Sequence, residues 1–379
     1  MTDRYNAFLY RDDEASGGEG PLAGVTVGVK ANIAVEGMPF HAGIVRWADR
    51  VADRDADVVT RLREAGAAIV GILNMEEGAL GSKTDNPHFG ATQNPHREGY
   101  SPGGSSGGSG AAVAADLCDV ALGTDTMGSV RIPAAHCGVY GFKPATDRVS
   151  HDGLIPADPT LDAIGPLARD LDLLERVARV ISDFGDGDMG GPGATLSDHG
   201  VELHPDVAAS FEASLAALEP RPATTALSEP LSRIRYAGFI KVSHTMARDL
   251  AGVEMSDHLR KLLTYGPGRA QRKLALDMDV LNQAALEVEQ LVGKHGFLIL
   301  PTVPNPPFPH SEIEPAAQAD FTCLANIAGL PAISIPAGWT DDRLPIGVQI
   351  VGEPGAEAGL FRLARRLDAK LGAYRAPTP

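Results

Sequence analysis

Residues 101–110 read SPGGSSGGSG, a run of serines and glycines with no charge and no large side chain. Such a run can be a flexible linker, a phosphate cradle, or a loop that holds serines for nucleophilic work. A dinucleotide cradle needs GxGxxG between a strand and a helix, with an acidic residue about 20 positions on. A mononucleotide cradle needs a lysine directly after the glycines, and none follows here. A linker is disfavoured because apolar, ordered-looking segments flank the run on both sides. Serine chemistry is therefore the reading that remains to be tested against the rest of the chain. Other reactive types offer less. Cys118, Cys137 and Cys323 form no CxxC pair, and an odd count gives no disulfide framework. The 11 histidines include no HExxH spacing, so no metal site is expected.

Those serines need rigid elements to hold them. GVTVGVK at 24–30 reads as a buried strand, and Asp57 to about Gly66 as a helix, followed by a strand at 68–73. SGAAVAADL reads as a buried helix with Ser109 near its cap, and DVALGTD as the next strand. Further along, LNQAALEVEQLVGKHG is a helix and FLILPTV (297–303) a strand. PAISIPAG and LPIGVQIVG are strands before a terminal helix at 355–371. Strands alternating with helices predict an α/β fold. Between about 183 and 300 the pattern weakens, and DFGDGDMGGPG (183–193) reads as a solvated loop whose carboxylates do not match an EF-hand.

Composition is that of an ordinary globular chain: 379 residues, 44% hydrophobic and 22% charged. The net charge of −16 argues against a phosphate-backbone partner. No apolar run approaches the roughly 20 residues a bilayer span needs, and the N-terminal stretch lacks signal-peptide character. These features lead to the expectation of a cytoplasmic protein with no membrane attachment.

Three ordered segments carry a resemblance: GVTVGVKANIAVEGMP, GYSPGGSSGGSGAAVAADLCDVALGTDTMGSVRIPAAHCGVYGFKP, and FTCLANIAGLPAISIPAGW with LPIGVQIVG. Together they closely resemble the amidase signature family of Ser-Ser-Lys amide hydrolases, over about residues 22–182 and 296–368. The resemblance implies an α/β amidase signature fold, with a central mixed β-sheet covered by helices on both faces. It implies a single domain over 1–379, with a core at 22–182 and 296–372 and a shortened variable insert at about 183–295. It further implies that Lys30 is the base, Ser105 the bridging serine held by a cis peptide, and Ser129 the nucleophile. The backbone N–H groups of Thr126, Met127, Gly128 and Ser129 would form the oxyanion hole. A buried lysine can be neutral enough to take a serine's proton, and a second serine can relay it. No cofactor is implied.

Some residues have plainer readings or depart from the family pattern. Ser106 and Ser109 would bond backbone or cap a helix, and Asp125 and Arg131 would form an ion pair that fixes the nucleophile loop. Cys137 would be a buried hydrophobe. Met127 stands where most members have glycine. It would shrink the acyl pocket, or fail if the backbone demands a positive φ. Ala31 replaces a usual aspartate. The leading expectation is a stand-alone amidase acting through a Ser129 acyl-enzyme on a small amide, with no nucleic acid partner and at most a homodimer. The alternatives are the glutaminase (A) subunit of a tRNA-dependent amidotransferase, or an inactive relative kept for binding. Against the glutaminase reading stand the chain's shortness and Ala319, where such subunits commonly carry an acid; Asp320 lies one residue later.

Overall fold

The computed structural model describes residues 3–197 and 199–378. Its strands in chain order are β1 (Phe8–Arg11), β2 (Thr26–Lys30), β3 (Ala68–Leu73), β4 (Asp85–Asn86), β5 (Gly90–Ala91), β6 (Val120–Thr124), β7 (Tyr140–Lys143), β8 (Ile164–Ala168), β9 (Ala194–Leu196), β10 (Ala223–Thr225), β11 (Leu298–Pro301), β12 (Ala332–Trp339) and β13 (Pro345–Val351). Among the described residues, β4 and β5 pair with each other, and the rest form one sheet in the order β1-β3-β2-β6-β8-β7-β12-β13-β11-β9-β10. β3, β2 and β6 run parallel, whereas β8, β7, β12, β13 and β11 pair antiparallel in turn. The sheet is mixed, as expected.

The helices are α1 (Asp57–Glu64), α2 (Gly107–Ala114), α3 (Arg131–Cys137), α4 (Leu171–Ile181), α5 (Pro205–Ala216), α6 (Leu231–Asp249), α7 (Asp257–Leu262), α8 (Gln271–His295), α9 (Cys323–Ile327) and α10 (Glu357–Leu371). Strand alternation sends side chains to opposite faces. On β6, Val120 and Leu122 join the core under α1, α4 and α10, whereas Ala121 joins the core under α2 and α3. Helices therefore cover both faces of a buried sheet, as the family resemblance implies.

The strand expectations held to within a few residues. α2 begins before Ser109, so that serine lies inside the helix rather than at its cap: its hydroxyl donates to Leu122 O at 3.0 Å. Ser106 precedes the helix without a side-chain cap bond, and its Oγ engages Thr124 O and N on β6. Both serines bond strand backbone, because α2 lies directly on β6. The weakly patterned region folds into four helices, α5, α6, α7 and α8, among the described residues. No helix among the described residues is long and apolar enough to cross a membrane.

Candidate active site

The carboxyl ends of parallel strands are where α/β sheets place ligands, and here β2 and β6 end side by side. Val29 pairs with Leu122 in the parallel register, so Lys30 and Thr124 emerge as neighbours at the ends of their strands. Lys30 Nζ donates to Ser105 Oγ at 2.7 Å and to Thr124 Oγ1 at 2.8 Å, all three side chains being buried. Burial lowers the Lys30 ammonium to about 7, against the pull of Asp162, Asp125 and Glu76. Asn32 Nδ2 also reaches Thr124 Oγ1, at 3.3 Å.

Ser105 owes its position to tight packing of backbone on backbone. The Gly104–Ser105 peptide is cis, and the Ser105 carbonyl accepts from Glu76 N at 3.0 Å. A Cβ on Gly104 would lie 2.7 Å from Lys83 N, so only glycine fits against that strand of chain. Gly103 has φ +82, and a Cβ there would meet Pro133 Cα at 2.9 Å. The serine-glycine run is thus a buried loop (101–106) leading into the first turn of α2, and not a linker.

Ser129 sits in the turn between β6 and α3, only 9% exposed, at the wall of a cavity of about 880 Å³. Met127, Thr126, Glu76, Arg235, Tyr236 and Phe239 line the same cavity. No hydrogen bond joins Ser105 to Ser129 among the described residues. The turn itself is held from beneath. Asp125 accepts from Gly128 N at 2.7 Å and Val130 N at 3.2 Å, and forms a two-point pair with Arg131 at 3.0 and 2.9 Å. Asn326 and Gln349 take the remaining guanidinium bonds. Burial alone would push the Asp125 carboxyl up, but the Arg131 guanidinium outweighs it and holds the group at about 2. The expected ion pair is present and wholly buried.

The four N–H groups proposed for an oxyanion hole are therefore not equivalent. Gly128 N is engaged by Asp125, whereas those of Thr126, Met127 and Ser129 make no hydrogen bond to a described residue. Met127 keeps a negative φ, so its side chain imposes no backbone strain. Gly128 carries the unusual geometry instead, at φ +131, and a Cβ there would lie 2.2 Å from Thr322 Oγ1. That same hydroxyl donates to Met127 O at 2.7 Å.

Sequence reasoning missed several members of this site. Thr124 was read only as part of the strand DVALGTD. Asp162 accepts from Thr126 Oγ1 at 2.5 Å and from Ala157 and Asp158 N–H, and burial raises its carboxyl to about 7. Arg235, on α6, forms an ion pair with the buried Asp320. Cys137 is buried, burial pushes its thiol up, and it offers no nucleophile.

Comparison with known proteins adds the following. A family model described as Amidase matches residues 5–190 and 240–361. The A subunit of glutamyl-tRNA(Gln) amidotransferase from Natronomonas pharaonis is 36% identical, over 96% of this chain and 100% of that protein. Its counterpart of the same name from Moorella thermoacetica is 35% identical, over 91% and 82%. Among solved structures, the counterpart from Thermotoga maritima superposes with TM-score 0.87 at 30% identity, covering 98% of this chain and 90% of that one. A 6-aminohexanoate cyclic dimer hydrolase superposes with TM-score 0.84 at 28% identity, over 99% and 92%. These relatives overturn the expected partner set of a small amide, no nucleic acid and at most a homodimer. By name the amidotransferase relatives are single subunits of an enzyme of glutamyl-tRNA(Gln), and they match this chain over nearly its whole length.

Proposed function

Since this chain belongs to the amidase signature family, enzymes that cleave carboxamide C–N bonds, we propose that it is the glutaminase subunit of a tRNA-dependent amidotransferase. The carrying observation is the end-to-end match with the amidotransferase relatives. The pocket agrees with an α-amino-acid amide. Glutamine brings a carboxylate and an ammonium, and the cavity wall offers the Arg235 guanidinium with Asp320 paired beneath it. Asp320, one residue after Ala319, is buried and bears on the pocket through its ion pair with Arg235.

In this reading, neutral Lys30 takes the Ser105 proton while Ser105 takes that of Ser129. Ser129 Oγ attacks the amide carbon, and the Thr126, Met127 and Ser129 N–H groups receive the oxyanion. The C–N bond breaks as the proton returns through Ser105 to nitrogen, which leaves as ammonia. Water, deprotonated along the same path, then releases glutamate and restores Ser129. The ammonia passes to a glutamyl-tRNA held by a partner protein.

The test is glutamine-dependent ammonia release by the chain, alone and with its co-expressed partner subunits and glutamyl-tRNA, with Ser129→Ala as blank. Release that depends on the partners and is lost in the variant supports the proposal. Full turnover of simple amides by the isolated chain, with no glutaminase activity in any mixture, refutes it.

A further inference from the structure

Gly238 occupies an interior, buried position of α6, where glycine is a poorer helix former than alanine. The space explains it. A Cβ on Gly238 would lie 2.9 Å from Cε and 3.3 Å from Sδ of Met127. The methionine thioether thus rests in a notch in the helix at Gly238, where a Cβ would displace its flexible end. Met127 is also the residue before the strained Gly128 and two before Ser129, it packs against both neighbouring apolar cores, and it lines the Ser129 cavity.

We infer that Met127 and Gly238 together set the length of acyl chain that the Ser129 cavity accepts. The thioether, held against α6, is a flexible part of the cavity wall, carried two residues before the nucleophile. Two further contacts fix α6 on either side of the notch: Arg235 pairs with Asp320, and Lys241 pairs with Asp158 at 2.8 Å. Because the helix cannot retreat, the volume beside Ser129 is decided by what fills the notch. Removing the thioether lengthens the chain accepted. Filling the notch from the helix side, with Gly238→Ala, pushes the flexible methyl off α6 toward the cavity and shortens it. The inference rests on Ser129 being the nucleophile of the proposed reaction, and is independent of tRNA or partner.

The test uses straight-chain boronic acids, methyl to hexyl. Their boron accepts the Ser129 Oγ while the serine proton passes to Lys30, so no amide turnover is needed. Dissociation constants are measured by calorimetry for the wild type, Met127→Ala and Gly238→Ala, with thermal stability recorded alongside. Met127→Ala should extend the longest well-bound chain by one or two carbons, with a gain of roughly tenfold or more for that chain. Gly238→Ala should move the optimum the opposite way. A merely structural role would change stability and leave the three length profiles superimposed, which would overturn the inference, as would the absence of boronate binding at any length. Partner-dependent ammonia release from glutamine is assayed separately. Its absence with shifted boronate profiles would sink the glutaminase reading alone, and its presence with unshifted profiles would sink this one alone.

Discussion

A serine that must lose a proton and a lysine that must accept one work together only if the lysine is neutral near the working pH. Burial lowers Lys30 to about 7, while Asp162, Asp125 and Glu76 limit the fall. The protonated form dominates below that value and cannot act as base. The rate constant kcat/KM should therefore rise with pH through a limb near 7 and level off above about 8. A limb in the ordinary lysine range, above 9, would contradict the burial argument. Lys30→Met should lose about 10² to 10⁴ in rate with the fold intact, because a buried amine that burial keeps largely neutral is exchanged for an apolar side chain of similar length. The Asp125–Arg131 pair behaves in the opposite way. Its two partners are fully buried and satisfy each other, so Arg131→Met strands a carboxylate that also holds Gly128 N. We expect a loss of about 3–5 kcal/mol in urea unfolding, partly restored by the double variant Asp125→Asn/Arg131→Met. Equal stabilities for the two variants would mean that Asp125 is neutralised elsewhere.

At the scale of elements, the nucleophile turn is clamped between β6 and α9. Gly128 is the position where this clamp allows no side chain, since Thr322 Oγ1 stands 2.2 Å from where a Cβ would be and φ is +131. Gly128→Ala should displace the turn, release Met127 O from Thr322, and lower kcat by about 10² or more, as loss of one oxyanion donor does. Near-normal kcat with unchanged KM would show that the turn tolerates displacement and that its N–H groups do not act on the reacting carbonyl. The same scale shows what the chain sequence reveals. β2, β3, β6, β12 and β13 are short segments rich in apolar residues, so a buried sheet could be read directly. Lys30, Ser105 and Ser129 could be singled out because each sits in a long motif, and the structure joins Lys30 to Ser105. Arg235 and Gly238 were not, because α6 announces itself poorly. Pro230 precedes it without a side-chain cap, its first turn carries no acid, and its buried positions include Gly238 and Ser243. Its contacts with Asp320, Met127 and Asp158 join residues distant in sequence, and no local pattern records them.

For the whole molecule, we propose that the 183–295 segment is part of a single folding unit. β9 pairs with β11 and extends the sheet, and Leu196, Ile234, Ala237, Leu281 and Val288 share one apolar core with Leu298, Leu300, Phe321 and Leu324. That unit carries an unusual load of buried bases. Burial lowers Lys143, like Lys30, to about 7, with Arg131 adding to the effect. A base whose folded pKa lies below its unfolded value binds more protons in the unfolded chain at every pH between the two. Stability must then rise with pH across that interval, by up to about 1.4 kcal/mol per pH unit for each lysine. The competing groups act outside the window. His41 and His136, lowered by burial to about 4, titrate below it, and Asp162 and Glu76, raised by burial to about 7, are ionised in both states above it. Burial raises the Cys118 thiol to about 12, so above pH 9 it remains protonated in the fold while the unfolded thiol ionises, and this contribution opposes that of the lysines there. Urea unfolding at pH 7.5, 8.0 and 8.5 should show one transition, with far-UV and near-UV signals coincident and its midpoint climbing at each step. A flat or falling midpoint would mean that both lysines stay charged in the folded chain, and Lys30 could not then serve as the base. Two separated transitions would instead divide the 183–295 segment from the core.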